Sequence, residues 1–242
     1  MIAWLRHGDP FPPLEQALAD PNGLLAAGGD LNPDRLINAY SRGIFPWSNI
    51  GQPILWWSPD PRMVLYIDEF RVSRSLGKRV RRAEYEVRVD TDFAAVIAEC
   101  AFIPRSGQAG SWITREMVHA YVVLHERRYA HSVESYRDGK LVGGLYGIAL
   151  GRVFFGESMF ARATDASKVA LVSLVALLKG RGVQLIDCQQ ETSHLASFGA
   201  RPIGRNVFAA HLRELIHSNE PPAVWPVGTL DAQERIEPQY GE

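Results

Sequence analysis

The sequence predicts an α+β protein in two parts, a small N-terminal domain (residues 1–62) and a larger mixed-sheet domain (residues 63–242). Three observations carry this. Residues 43–62 hold three of the six tryptophans (Trp47, Trp56, Trp57) and four of the fifteen prolines (Pro46, Pro53, Pro59, Pro61). Proline fixes φ and removes a backbone donor, so this stretch is neither a continuous helix nor a central strand. From Met63 the composition changes to long periodic segments, which sets the boundary near residue 62. The order after that point, antiparallel hairpins, long apolar helix, buried strand and helix, is that of a mixed sheet with helices packed on it.

In the first part, Asp20-Pro21-Asn22-Gly23 and Gly28-Gly29-Asp30 are turn clusters. Asn32 caps a short helix with Pro33 at its first position, and Gly43 ends it after Leu36, Ile37 and Tyr40. The composition then stays loop-like through Pro61. The second part opens with a strand at Met63–Ile67, followed by a basic segment from Arg71 to Arg82. Asp92 opens an amphipathic helix through Ala101, and Thr114 opens another through Arg127. His131–Tyr136, Lys140–Leu150 and Arg152–Glu157 read as antiparallel strands turned at Arg137-Asp138-Gly139 and Gly151. Gly143-Gly144 inside the middle strand marks a bulge or a close backbone approach.

A long helix covers Asp165 to Lys179, and Val183–Gln189 is a buried strand. Ser193 caps a short helix closed by Gly199. An extended piece and a helix from Asn206 to His217 follow, and the proline-containing stretch from Glu220 reads as an irregular tail. This order matches an N-acetyltransferase-like (GNAT) core, in which a mixed sheet splays open to admit a substrate.

The formal net charge of −1 supplies no global basic field, so attraction to a polyanion must come from a local patch. Cys100 and Cys188 lack the spacing of a disulfide framework or a zinc site and suit a reducing compartment. Arg6 and His7 follow the apolar residues of the start, the wrong order for a secretory signal. The apolar run Val169–Leu178 is too short to span a bilayer. A cytoplasmic protein with no membrane association and no metal is expected.

Four groups of residues could carry chemistry. Asp187 and Gln189, at i and i+2 on Leu185-Ile186-Asp187-Cys188-Gln189, share one face of a strand whose other face carries Ile186 and Cys188. A carboxylate beside a carboxamide on an apolar strand needs partners, whether as a loop cap or as part of a site. Glu157, after Phe154-Phe155, is either a buried acid facing the same cleft or a strand-end partner in a salt bridge. Arg71, Arg74, Lys78, Arg79, Arg81 and Arg82 crowd twelve residues without an acid, a patch suited to phosphates or a solvated face. The tryptophans offer indole faces for stacking a nucleobase, or else plug a domain interface. The histidines lack metal spacing, and no Gly-x-Ser-x-Gly elbow, Walker loop or dinucleotide fingerprint is present.

Taken together, these segments resemble the leucyl/phenylalanyl-tRNA–protein transferases of bacteria. The matching stretches run in order over residues 20–200. They include Pro21-Asn22-Gly23-Leu24-Leu25, Gly28-Gly29-Asp30-Leu31, Arg42-Gly43-Ile44-Phe45-Pro46-Trp47 and the run from Pro53 through Trp56-Trp57-Ser58-Pro59-Asp60-Pro61-Arg62. They continue with Trp112-Ile113-Thr114-Arg115, His131-Ser132-Val133-Glu134, Val142-Gly143-Gly144, Gly156-Glu157-Ser158-Met159-Phe160, Ala166-Ser167-Lys168 and Leu185-Ile186-Asp187-Cys188-Gln189.

The resemblance implies an enzyme, without a cofactor, that takes Leu or Phe, and less readily Met, from aminoacyl-tRNA. It attaches that residue to the N-terminal Arg or Lys of an acceptor protein and so marks the acceptor for degradation by the N-end rule. It implies Asp187 as base or orienter, Gln189 as its partner in aligning the amine, and Glu157 in the same cleft. The terminal adenosine would stack on Trp47 or Trp112, and phosphates would meet Arg74, Lys78, Arg81 and Arg82. The aminoacyl side chain would enter a pocket of Leu145, Phe154, Leu174 and Ile186. The family often has Met at the position of Leu145 and Phe at that of Leu174, swaps that keep the pocket apolar. A monomer is expected.

Three rivals share parts of this reading. A coenzyme A-dependent acetyltransferase would need a Gly-rich turn before the long helix, where Ala161-Arg162-Ala163-Thr164-Asp165 has none. A peptidoglycan-type aminoacyl-tRNA transferase would share the fold but not the acceptor. A non-catalytic RNA-binding module would use the tryptophans and basic patch without Asp187, Gln189 and Glu157 in a cleft.

Overall fold

The computed structural model describes residues 2–102, 113–217 and 222–230. Trp112 therefore lies outside the described residues, as does part of the tail from Glu220. A four-stranded sheet holds β1 (Ala3–Leu5), β2 (Leu24–Gly28), β3 (Phe45–Pro46) and β4 (Leu55–Trp57) in the order β1-β2-β4-β3. Helix α1 (Pro33–Ser41) lies between β2 and β3 in sequence, and the Asn32 side chain accepts the Asp34 N–H at 3.0 Å. The tryptophan-rich stretch is thus less irregular than expected. Between Pro53 and Pro59 the chain is proline-free long enough for β4 to pair with both β2 and β3, and Pro46 falls on the edge strand.

After Trp57 the chain enters a second, eight-stranded sheet at β5 (Arg62–Tyr66). Its other strands are β6 (Glu86–Val89), β7 (Ala130–Arg137), β8 (Lys140–Leu150), β9 (Val153–Ala161), β10 (Leu185–Gln189), β11 (Arg201–Ile203) and β12 (Gly228–Thr229). Their order is β11-β5-β10-β9-β8-β7-β6-β12, and β9 and β10 run parallel within it. The β7–β8 hairpin turns on Asp138 and Gly139, both at positive φ, the geometry that an Asp-Gly pair favours.

The helices divide between the faces of this sheet. Helices α3 (Phe93–Phe102), α4 (Arg115–Glu126) and α7 (Arg205–Leu215), together with the first sheet, share one hydrophobic cluster. Helices α2 (Arg74–Arg81) and α5 (Ala166–Gly180) build the other. Period-2 alternation sorts neighbouring residues at the centre of the sheet: Tyr146, Phe155 and Leu185 join the first cluster, while Leu145, Phe154 and Ile186 join the second. Gly143 allows α5 to approach β8, because a Cβ there would lie 2.5 Å from the Cβ of Ala166. The short helix α6 (Ser193–Ala196), capped by Thr192 rather than Ser193, follows β10.

β6 and β12 were not anticipated from the sequence, and β9 extends four residues beyond Glu157. The long helix, the β7–β8–β9 hairpins and the buried strand agree with the sequence reading within a few residues.

Candidate active site

The site exists because two parallel strands part. β9 and β10 pair from Leu185 opposite Val153 to Asp187 opposite Phe155, after which β9 continues to Ala161 paired only with β8 on its other side. Gln189, at φ +60°, turns β10 away, and its pairing with β5 shifts register between Asp187 and Gln189. A cavity of about 400 Å³ occupies this gap. Its lining comes from both faces of the sheet. Leu145, Phe154, Leu171, Leu174 and Ile186 belong to the α5 side, whereas Phe45 belongs to the cluster on the other. The cavity therefore passes through the sheet, with an apolar wall on one side and Trp47, Glu157, Asp187 and Gln189 contributing to the rest of its lining. All four residues expected to form the aminoacyl pocket line it.

Asp187 is held by a residue that sequence reasoning left without a role. Its Oδ1 accepts from Arg62 Nε at 2.7 Å and its Oδ2 from Arg62 Nη2 at 2.6 Å, with the two side chains 1% and 0% exposed. The guanidinium also donates to the Gly43 carbonyl and lies 4.7 and 4.8 Å from the ring centres of Phe45 and Phe208. This bidentate geometry suits arginine's planar fork. Asp187 Oδ1 accepts the Gln189 N–H at 2.9 Å as well, so the ion pair also fixes the turn that ends β10.

Glu157 has partners of a different kind. Its Oε1 accepts from Gln189 Nε2 at 2.8 Å and its Oε2 from the Tyr121 hydroxyl at 2.9 Å, and Tyr121 is hydrogen-bonded in turn to Tyr40. Burial drives its pKa from the ordinary carboxylate range up to about 7, against the opposing hydrogen bonds of Tyr40, Tyr121 and Gln189. Burial likewise pushes both tyrosines well above the usual phenol range. The Cys188 thiol is pushed up by burial and by neighbouring Asp187, which keeps it protonated. Across the cavity, burial and Lys168 lower the pKa of His194.

Trp47 lines the cavity half-buried, its ring edge-on to Trp57 at 5.4 Å between centres. Trp56 is fully buried and donates to the Gly28 carbonyl, a structural use of an indole. Arg74, Lys78, Arg81 and Arg82 are exposed on or just after α2, while Arg79 is paired with Glu84 and Asp165. The segment is helical because Ser73 caps it and Leu76 and Val80 bury one face, which leaves the cations outward. Among the described residues, no group of three or more His, Cys, Asp or Glu side chains is placed to hold a metal ion. No described helix is long and apolar enough to cross a membrane.

Sequence reasoning missed Arg62, Tyr40 and Tyr121, which hold the carboxyl groups, and the lining residues Phe45, Leu171 and His194. Arg62 did leave a signal. An arginine opening the apolar strand Arg62-Met63-Val64-Leu65 needs a buried anion, just as Asp187 needs a cation.

An apolar pocket opening through a sheet beside buried carboxyl and carboxamide groups is the equipment of a group-transfer enzyme, and the relatives narrow that class to aminoacyltransferases. The sequence profile described as "Leucyl/phenylalanyl-tRNA protein transferase" matches residues 64–213, and that of its N-terminal domain matches residues 29–60. A Burkholderia vietnamiensis protein named leucyl/phenylalanyl-tRNA–protein transferase is 58% identical over 232 residues, 93% of this chain and 91% of that one. A Nitrosospira multiformis protein of the same name is 58% identical over 225 residues, 93% of this chain and 97% of that one. The chain belongs to the leucyl/phenylalanyl-tRNA–protein transferase family. Among solved structures, L-PGS from Bacillus licheniformis overlaps 74% of this chain and 59% of its own, at 13% identity and a TM-score of 0.37, too low to assign the fold.

Proposed function

We propose that this protein transfers Leu or Phe, and Met less readily, from aminoacyl-tRNA to the N-terminal Arg or Lys of an acceptor protein, which is thereby marked for degradation. One observation carries the reading: a cavity through the sheet joins an apolar pocket to Glu157, Asp187 and Gln189. The aminoacyl side chain enters between Leu145, Phe154, Leu174 and Ile186. A narrow apolar slot of this kind favours an unbranched Cβ and disfavours Val and Ile. The ester carbonyl then lies near the polar part of the cavity. The acceptor's α-amine attacks it, the C–N bond forms, and the tRNA leaves as the ribose hydroxyl.

In this reading Asp187 orients the amine with Gln189. Arg62 fixes the position of the Asp187 side chain, and the Glu157–Gln189 hydrogen bond sets the carboxamide. The ester is already activated, so positioning supplies much of the acceleration. The terminal adenosine stacks on Trp47 or Trp112. Phosphates further along the tRNA follow Arg74, Lys78, Arg81 and Arg82. We further propose that residues 1–62 and 63–242 are two domains, the second N-acetyltransferase-like. The parting of parallel β9 and β10 supports this. The protein acts as a monomer in the cytoplasm and needs no cofactor. α5 follows Asp165 without a glycine-rich turn, which disfavours a coenzyme A-dependent enzyme.

The test is transfer of radiolabelled Leu from charged tRNA to a peptide beginning with Arg and to one beginning with Ala. Transfer to the Arg peptide alone, lost in Asp187→Asn while tRNA binding persists, is the expected result. A folded protein that binds tRNA tightly yet transfers to neither peptide would be an RNA-binding module instead.

A further inference from the structure

The two acidic groups in the cavity have partners of different kinds. Both Asp187 oxygens accept from the buried Arg62 guanidinium, so that side chain is committed to an ion pair. Glu157 is held by neutral donors instead. Tyr121 and Gln189 donate to its two oxygens and favour the anion, but they supply no countercharge, so the carboxyl remains able to take up a proton. Tyr121 and Tyr40 are both fully buried and hydrogen-bonded to each other, so the carboxyl is braced from the protein interior.

We propose that Glu157 is the proton carrier of the transfer step, with Tyr121 and Tyr40 as positioning residues. Glu157 takes a proton from the α-amine as the C–N bond forms. It delivers that proton to the ribose oxygen, which leaves with the electron pair of the broken C–O bond. Nitrogen loses one proton, oxygen gains one, and Glu157 ends as the anion it began. This rests on the acyl-transfer reading above.

The groups facing Glu157 are Tyr40 from α1, Tyr121 from α4, and Asp187 from β10 with Arg62 of β5 behind it. Cys188 and His194 line the same cavity. Burial places the Glu157 pKa at about 7, and a carrier that must both accept and deliver a proton works best near the working pH. The tyrosines and Cys188 stay protonated there.

The test is the pH dependence of single-turnover Leu transfer from charged tRNA to a peptide beginning with Arg. Wild type should lose rate below about pH 7, where Glu157 is already protonated. Glu157→Gln should lose roughly 100-fold or more in the chemical step while tRNA affinity holds. Tyr121→Phe removes a donor that favours the anion, so the acid limb should move to higher pH with little change in the plateau rate. Tyr40→Phe should shift it in the same direction. A purely structural Tyr121 would lower the rate at every pH and leave the limb in place.

If wild type transfers Leu but Glu157→Gln keeps both rate and limb, the proton carrier is overturned and the acyl-transfer reading stands. If wild type binds tRNA and transfers to no peptide, the acyl-transfer reading falls and this proposal falls with it. Should Glu157→Gln fail to fold, Tyr121→Phe decides: a limb moved upward supports the carrier, and an unmoved limb overturns it.

Discussion

Replacing Arg62 by methionine keeps most of the side chain's length between Phe45 and Phe208 but removes the charge facing Asp187. The two partners are 1% and 0% exposed, so water cannot take over the lost hydrogen bonds. Removing one member of such a buried pair typically costs about 3–5 kcal/mol, because the other is left as an uncompensated charge. For a protein of this size that lowers Tm by about 6–20 °C. Urea unfolding followed by tryptophan fluorescence measures it directly.

The companion variant Arg62→Met/Asp187→Leu removes both charges. It should recover to within about 1–2 kcal/mol of wild type, the remainder reflecting the Gln189 N–H that loses its acceptor. It should also be inactive in transfer. A loss below about 1 kcal/mol in Arg62→Met would refute the claim that this pair is closed to water. A double variant as unstable as the single one would refute the claim that the cost lies in the orphaned carboxylate.

Two further outcomes follow from other parts of the molecule. Gly143→Ala places a Cβ 2.5 Å from the Cβ and 2.9 Å from the carbonyl carbon of Ala166, so β8 and α5 must move apart. A destabilisation of about 1–3 kcal/mol in urea unfolding is expected, and one below about 0.5 would mean the contact relaxes freely. Neutralising Arg74 and Lys78 together should weaken tRNA binding and lessen the slope of log K against log salt by about 1.5, from ~0.7–0.9 per phosphate contact. An unchanged slope would show that α2 does not meet the phosphates.

What could be read from the sequence was whatever is decided locally. The Asn32 cap with Pro33 and the Asp138-Gly139 turn depend on a few adjacent residues, and the structure has them in place. The alternation through Leu185-Ile186-Asp187 was legible for the same reason, since strand period alone sorts the side chains between faces. The pocket residues Leu145, Phe154, Leu174 and Ile186 came from resemblance, and they meet because β8, β9, β10 and α5 are neighbours.

What escaped was decided by distant partners. β4 was masked by flanking prolines, although its own three residues are free to pair. Nothing near residue 62 reveals that its partner stands 125 positions away. Tyr40 and Tyr121 read as ordinary apolar positions on helices, and only their meeting across 81 residues exposes a polar use.

The place of β5 in its sheet bears on how the chain comes to be active during synthesis. Its neighbours are β10 and β11, which begin at Leu185 and Arg201. Until the ribosome has delivered those residues, both edges of Arg62–Tyr66 lack their strands and Arg62 has no carboxylate to meet. Pairing over such separations is slow, and open strand edges invite association with other chains. A nascent chain released before Gln189 would hold Trp47, the cationic helix and Glu157, yet would have neither Asp187 nor Gln189 in place beside them. Competence therefore waits until β10 and β11 have been made and have paired with β5.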